Sequence, residues 1–221
     1  MAITLYWGSG SPFAWRVMLA LEHKRLPYES VLLHFDKQEH QSPQMLRMNP
    51  RGRVPVLKDG DYVVFESVAV LYYLDVKYQD PPIFGLTPEE AGVIMRVICE
   101  FQAYAEPSLQ KICGAIFEGR VKEEYEQLTD AMHVVGREAR TIEGRLSKEE
   151  WIVGANYSAI DMVIFPWIQL LRRALTKPGA AELGARFLPM DHNYPALARW
   201  IQRIEALPGY ENTYPPHWRD G

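Results

Sequence analysis

The pattern of apolar residues along this 221-residue chain changes character once, at the stiff connector Asp80-Pro81-Pro82. Before the connector, short β-prone runs alternate with helical patterns in the order β-α-β-α-β-β-α. After it, apolar residues recur every three or four positions, which is the spacing of helices that bury one face. The sequence therefore predicts a small α/β domain over residues 1–80 and an all-helical domain over residues 87–221.

Turn and cap residues delimit the predicted elements of both domains. Strands are expected over residues 3–7, 28–33, 54–58 and 62–65, and helices open at Ser11-Pro12, Ser42-Pro43 and Ser67. In the second domain, Thr87-Pro88 opens a helix whose apolar stripe runs without a break to Ile112, and three more helical stripes follow. A capping box at Ser158 and Asp161 precedes a purely apolar helix, so its expected role is structural.

The composition is that of an ordinary globular protein, with 48% hydrophobic residues, 24% charged residues and a net charge of −4. These values exclude wholesale disorder and argue against non-specific nucleic-acid binding.

No apolar run approaches the roughly 18 residues of a membrane helix, and the first residues lack a signal-peptide pattern, so a cytoplasmic location without membrane contact is expected. No His, Cys and Asp cluster has metal-ligand spacing, so no metal is expected. Cys99 and Cys113 lie about 21 Å apart along one predicted helix, too far for a disulfide.

Two predicted helix starts carry a serine that suits the binding of an anion. Ser11 lies where the free N–H groups at the positive end of a helix would stabilise a thiolate. Glu66-Ser67 opens another helix, where a hydroxyl and free N–H groups suit a carboxylate. For each serine alone a simple N-cap is the favoured interpretation, and Ser9 is a competing hydroxyl near Ser11.

The third predicted strand begins with Val54-Pro55, a position that tolerates the missing N–H of proline. With a cis bond, the Val54 backbone would turn outward and pair with an extended peptide. Arg51, Arg53 and His40 precede this strand, and each alone is more often a solvated surface group.

In this order, these motifs resemble the soluble glutathione transferase family over nearly the whole chain. The motifs are Ser11-Pro12-Phe13 with Arg16-Val17, the run Asn49-Pro50-Arg51-Gly52-Arg53-Val54-Pro55-Val56-Leu57, Glu66-Ser67 with Tyr73-Leu74, and Ser158-Ala159-Ile160-Asp161. The Ser-Pro-Phe start is most similar to the serine-dependent branches, which are tau-like, zeta-like or theta-like. The resemblance implies a thioredoxin-like α/β domain that holds glutathione, then an all-α domain that closes over an apolar electrophile.

Residue roles follow from the resemblance. It implies that Ser11 donates a hydrogen bond to the glutathione sulfur and favours the thiolate, while Phe13 lines the sulfur pocket. It also implies that Val54 pairs its backbone with the cysteinyl unit and that Pro55 is cis.

The ends of glutathione and the second substrate complete the expected site. By resemblance, Glu66 and Ser67 bind the ammonium and carboxylate of the γ-glutamyl unit, and Arg53 or His40 binds the glycine carboxylate. The expected apolar wall for the electrophile comprises Tyr104, Leu109 and Trp167. The family also implies a detoxifying homodimer, packed through the helix after Glu66 and the first helix of the second domain.

Two other functions remain open at this point. The same thiolate would serve a glutathione-dependent isomerase, dehalogenase or peroxidase, and a non-catalytic member would keep the fold as an interaction module. The presence of both Ser11 and Glu66-Ser67 favours catalysis over the module.

Overall fold

The computed structural model describes residues 3–219 and separates into two compact units. One unit spans Gly85–Ala206, and the other combines the chain up to Phe84 with the segment from Leu207 onward. The C-terminal segment, residues 207–219, therefore groups with the first unit, whereas the sequence pattern assigned it to the helical domain.

Four strands form a mixed sheet at the centre of the first unit. They are β1 (Ile3–Trp7), β2 (Tyr28–Leu32), β3 (Val56–Asp59) and β4 (Tyr62–Phe65). β1 pairs in parallel with β2 and antiparallel with β3, and β3 and β4 form a hairpin, giving the order β2-β1-β3-β4. Leu5 and Leu57 face each other across β1 and β3, and both are fully buried. The predicted order of strands and helices in this part of the chain is confirmed.

Helices flank this sheet and build the second unit. In chain order they are α1 (Pro12–His23), α2 (Pro43–Met48), α3 (Ser67–Lys77), α4 (Pro88–Glu100), α5 (Glu106–Phe117), α6 (Tyr125–Leu146), α7 (Ala159–Leu175), α8 (Ala181–Gly184), α9 (Met190–Asn193), α10 (Pro195–Glu205) and α11 (Tyr210–Thr213). Short 3₁₀ turns cover Glu39–Gln41 and Pro216–Trp218. Among the residues described, no helix combines the length and the apolar character needed to cross a membrane.

The first helix of the second unit is interrupted, which corrects the prediction of one continuous helix to Ile112. A π-helical turn at Phe101–Ala105 separates α4 from α5. Pro107 has no N–H to give to the carbonyl four residues earlier, and its ring crowds that carbonyl. The Glu106 N–H bonds instead to the Phe101 carbonyl five residues back, so the chain widens for one turn.

The C-terminal segment packs against α1. Trp15 donates from Nε1 to Thr213 Oγ1 over 2.8 Å, and its ring meets the Trp218 ring at 5.4 Å in an edge-on contact. Asn212 donates to a carboxylate oxygen of Glu22 over 3.0 Å. A buried tryptophan requires both apolar cover and an acceptor for its N–H. The segment supplies both to Trp15, which explains why it belongs to the first unit.

The capping box at the start of α7 is present as predicted. Asp161 is fully buried and accepts hydrogen bonds from the Ser158 N–H and hydroxyl, the Ile152 N–H and Trp200 Nε1. This carboxylate joins three separate segments of the helical unit, which is a structural role.

Candidate functional site

A cavity of about 330 Å³ in the first unit brings together most of the predicted glutathione contacts. Its lining residues are Phe13, Asn49, Arg51, Arg53, Val54, Pro55, Glu66 and Ser67. Ser11 and His40 are not part of this lining, although Ser11 is only two residues from Phe13.

Ser11 is the N-cap of α1. Its half-buried Oγ accepts a hydrogen bond from the Ala14 N–H over 3.3 Å. Because the hydroxyl accepts from the helix, its own proton remains available for donation to a ligand. The helix start adds a partial positive charge, so an anion beside Ser11 is stabilised by both groups.

The Val54-Pro55 bond is cis, as the resemblance implied. The strand β3 begins at Val56 rather than at Val54, because Pro55 has no N–H for the ladder. Within the described chain, the Val54 N–H and carbonyl form no hydrogen bond. An extended peptide is the natural partner for two such free backbone groups.

Asn49 holds the loop that leads to Val54, a role that was not predicted from the sequence. Its buried side chain donates from Nδ2 to the Arg53 carbonyl over 2.8 Å and accepts from the Arg51 N–H over 3.1 Å. The loop is thereby fixed while both arginine side chains remain exposed at the cavity.

Glu66 is held in an unusual backbone conformation at the start of α3. Its φ of +68° lies in the left-handed region, which a non-glycine residue adopts only when its surroundings require it. The exposed Glu66 carboxylate lies 3.8 Å from Arg51 Nε, and both side chains are about two-thirds or more exposed, so this pair is weak. The carboxylate therefore remains available to a cation of a ligand.

Arg16 is a buried cation directly behind the cavity. It is fully buried in α1, donates from Nη1 to Ser67 Oγ over 3.1 Å, and places its guanidinium 4.8 Å from the centre of the Phe13 ring. Arg16 belongs to one of the motifs that carry the resemblance, but no role was predicted for it. The sequence does contain a sign of such a role, because Arg16 is a charged residue within the apolar helix face of Phe13, Val17 and Leu21. A charge that is buried at such a position must be paired.

The remaining predicted residues have different surroundings. His40 is half-buried, its ring lies 5.1 Å from that of Phe35, and its buried Nδ1 has no partner among the described residues. In the helical unit, Tyr104 is 63% exposed, whereas Leu109 and Trp167 are buried. Trp167 donates from Nε1 to Glu106 over 3.1 Å.

Comparison with known proteins places the chain in a family. Residues 1–76 match the N-terminal domain of glutathione S-transferases, and residues 101–208 match their C-terminal domain. The chain belongs to the glutathione S-transferase family. The predicted fold and the predicted enzyme class, a glutathione transferase, are thereby confirmed.

Relatives within the family match along almost their whole length. The chain is 31% identical to glutathione S-transferase A of Pleuronectes platessa, over 98% of this chain and 92% of that protein. It is 32% identical to glutathione S-transferase F10 of Arabidopsis thaliana, over 90% of both chains. Among solved structures, a glutathione S-transferase from the Antarctic clam Laternula elliptica matches with a TM-score of 0.85 and 26% identity, over 100% of this chain and 95% of that one. The glutathione transferase URE2P6 from Phanerochaete chrysosporium, in complex with oxidised glutathione, matches with a TM-score of 0.78 and 27% identity, over 99% and 95%.

Proposed function

We propose that this chain binds glutathione in the cavity of the first unit and adds its thiolate to an apolar electrophile. The observation that carries the proposal is the convergence there of the free Val54 backbone, the exposed Glu66 carboxylate and the Ser67 hydroxyl. These groups match the γ-glutamyl end and the middle of glutathione.

Each part of glutathione has a complementary group. The Glu66 carboxylate pairs with the ammonium of the γ-glutamyl unit, and the α-carboxylate accepts from the Ser67 hydroxyl and the N-terminal N–H groups of α3. The Val54 backbone pairs with the cysteinyl unit. Arg53 lines the cavity and is the first candidate for the glycine carboxylate, with His40 the second.

Ser11 is the proposed catalytic residue. Its hydroxyl proton donates to the glutathione sulfur, and the start of α1 adds a positive potential, so the thiol releases its proton to water at a lower pH. The thiolate then forms a bond to the electrophilic carbon. In a substitution the leaving group departs from that carbon with its bonding electrons, and in an addition the neighbouring atom that receives the displaced electron pair takes up a proton from water. Phe13 lines the sulfur side of the site, and serine at position 11 supports assignment to a serine-dependent branch of the tau, zeta or theta kind.

The second substrate and the assembly belong to the same proposal. Tyr104, Leu109 and Trp167 form the proposed apolar wall, of which Tyr104 is 63% exposed and the other two are buried. The enzyme is proposed to act in cytoplasmic detoxification as a homodimer.

Retention on immobilised glutathione, with elution by free glutathione, tests the binding proposal. Glu66→Gln and Ser67→Ala should weaken retention, whereas Ser147→Ala, which alters an exposed hydroxyl at the end of α6, should not. A folded protein that passes through the column unretained would contradict the proposal and favour the interaction module.

A further inference from the structure

A tight turn from Gly8 to Ser11 delivers Ser11 to the start of α1. The Ser11 N–H donates to the Gly8 carbonyl over 3.1 Å, and Gly10, the third residue of the turn, has a φ of +80°. These are the hydrogen bond and the positive φ of a type II turn. A Cβ on Gly8 would lie 2.1 Å from the Phe35 ring, so this ring packs directly against one side of the turn.

The two central residues of this turn contact the C-terminal segment. Ser9 Oγ lies 2.5 Å from Nδ1 of His217, in a hydrogen bond between residues 208 positions apart. A Cβ on Gly10 would lie 2.9 Å from Cε1 of His217, so the imidazole covers the turn closely. The neighbouring Trp218 packs edge-on against Trp15. This contact fixes the position of the chain at His217.

We propose that His217 is a positioning residue for Ser11. By holding Ser9 and covering Gly10, it keeps the central peptide of the turn in the orientation that aims the Ser11 hydroxyl at the glutathione sulfur. The proposal rests on the role proposed for Ser11. Because a hydrogen bond weakens steeply when its donor is misaligned, loss of His217 reduces thiolate stabilisation. Binding of the rest of glutathione depends on Val54 and the start of α3, so it is unaffected.

Three replacements of His217 in the full-length protein test the proposal. His217→Asn keeps an amide group near the position of Nδ1, His217→Gln places it near Nε2, and His217→Ala removes it. We expect His217→Ala and His217→Gln to raise the apparent pKa of the bound glutathione thiol, followed by the ultraviolet absorbance of the thiolate. We expect them to lower kcat about threefold to tenfold, the effect of one hydrogen bond, with KM for glutathione unchanged. His217→Asn should restore both the pKa and kcat.

A matched control lies in the same segment. Asn212→Ala removes another side-chain hydrogen bond between the C-terminal segment and α1, the one to Glu22. It should leave the thiol pKa and kcat unchanged, which separates an effect on the turn from a general loosening of the segment. In a Ser11→Ala background, His217→Ala should have no further effect on the thiol pKa, because the group that it positions is gone.

The outcomes distinguish the two proposals. If Ser11→Ala raises the thiol pKa and no His217 variant does, the inference about His217 is overturned and the role of Ser11 stands. If His217→Asn fails to restore the pKa, or Asn212→Ala raises it as much as His217→Ala does, the segment acts only through stability and the inference is overturned. If Ser11→Ala itself leaves the pKa unchanged, the proposed role of Ser11 fails, and the inference fails with it.

Discussion

Arg16 donates a hydrogen bond from Nη1 to the hydroxyl oxygen of Ser67, 3.1 Å away and 51 residues later in the chain. Since an arginine can only donate, the Ser67 oxygen must accept, and its own proton is directed elsewhere. Ser11 is in the same situation, because its oxygen accepts from the Ala14 N–H. Both serines are therefore set as donors before a ligand arrives, which suits a thiolate and a carboxylate.

Replacement of Arg16 by methionine should weaken glutathione binding about tenfold or more, because Ser67 loses the charged group that orients it. Calorimetric titration of Arg16→Met and Ser67→Ala measures this effect. In the double variant the two losses should not add, since both act through the same hydroxyl. Full additivity would show that Arg16 acts independently of Ser67.

Ser11→Ala should lower turnover about 10- to 100-fold, because a hydrogen bond to a charged group contributes roughly 1.5–3 kcal/mol. The same variant should raise the apparent pKa of the bound thiol, followed by thiolate absorbance against pH. Ser42→Ala is the matched control, since Ser42 also precedes a proline and caps its helix through a 3.3 Å bond, to the Met45 N–H. Equal effects of the two variants on the thiol pKa would show that Ser11 acts only as the N-cap of α1.

Ser67 and Ser158 should separate binding from stability. Ser67→Ala is expected to cost on the order of 1–2 kcal/mol of glutathione binding, because a carboxylate loses a donor. Ser158→Ala is expected to cost about 0.5–2 kcal/mol of folding, as at other helix starts. Calorimetry and urea unfolding of both variants decide the matter. Loss of glutathione binding in a Ser158→Ala protein of unchanged stability would refute the structural role of this box.

The buried Asp161 should make stability depend on pH. Burial raises the pKa of Asp161 from 3.8 to about 6, against the opposing effect of its hydrogen bonds. Between these values the folded state keeps a proton that the unfolded state releases, so this contribution to the free energy of unfolding is lost as the pH rises through the interval. Over that interval the free energy of unfolding should therefore fall more in the wild type than in Asp161→Asn, by up to about 3 kcal/mol. Urea unfolding at both ends of the interval measures it, and equal falls would contradict the prediction.

A homodimer should persist at micromolar concentration. Exposed apolar side chains lie on α3, where Tyr72 and Val76 are more than half exposed, and on α4, where Val93 is 40% exposed. Burial of such side chains is what drives association. Sedimentation should detect a dimer that Tyr72→Glu weakens. A concentration-independent monomer of 25.5 kDa would argue against it.

Local patterns predicted most of the elements because their determinants are close in sequence. Thr87 and Glu90 form a capping box at the predicted helix start, and the third and fourth predicted strands pair as a hairpin around Asp59-Gly60. The break at Pro107 was missed because the apolar stripe continues through it, and one proline changes the backbone without changing that stripe.

The sequence motifs predicted most of the residues that line the cavity, but not the residues that hold those residues in place. Six of the eight predicted glutathione contacts, those other than Ser11 and His40, line one cavity. Arg16 behind the cavity and Asn49 in its lining hold the site through contacts that join distant or irregular segments, and such contacts produce no periodic sequence pattern. The grouping of Trp15 with Thr213 likewise depends on tertiary packing across 198 residues.

This return of the chain to α1 sets an order of events during synthesis. Trp15 is synthesised before the helical unit, whereas Thr213 and Trp218 are synthesised after it. All four strands of the first unit have been made once β4 is complete, yet the Thr213 acceptor and the Trp218 ring are added to Trp15 only after the helical unit has been produced. The first unit is therefore completed only after the helical unit has been synthesised, and its folding before that point lacks the contacts of the C-terminal segment.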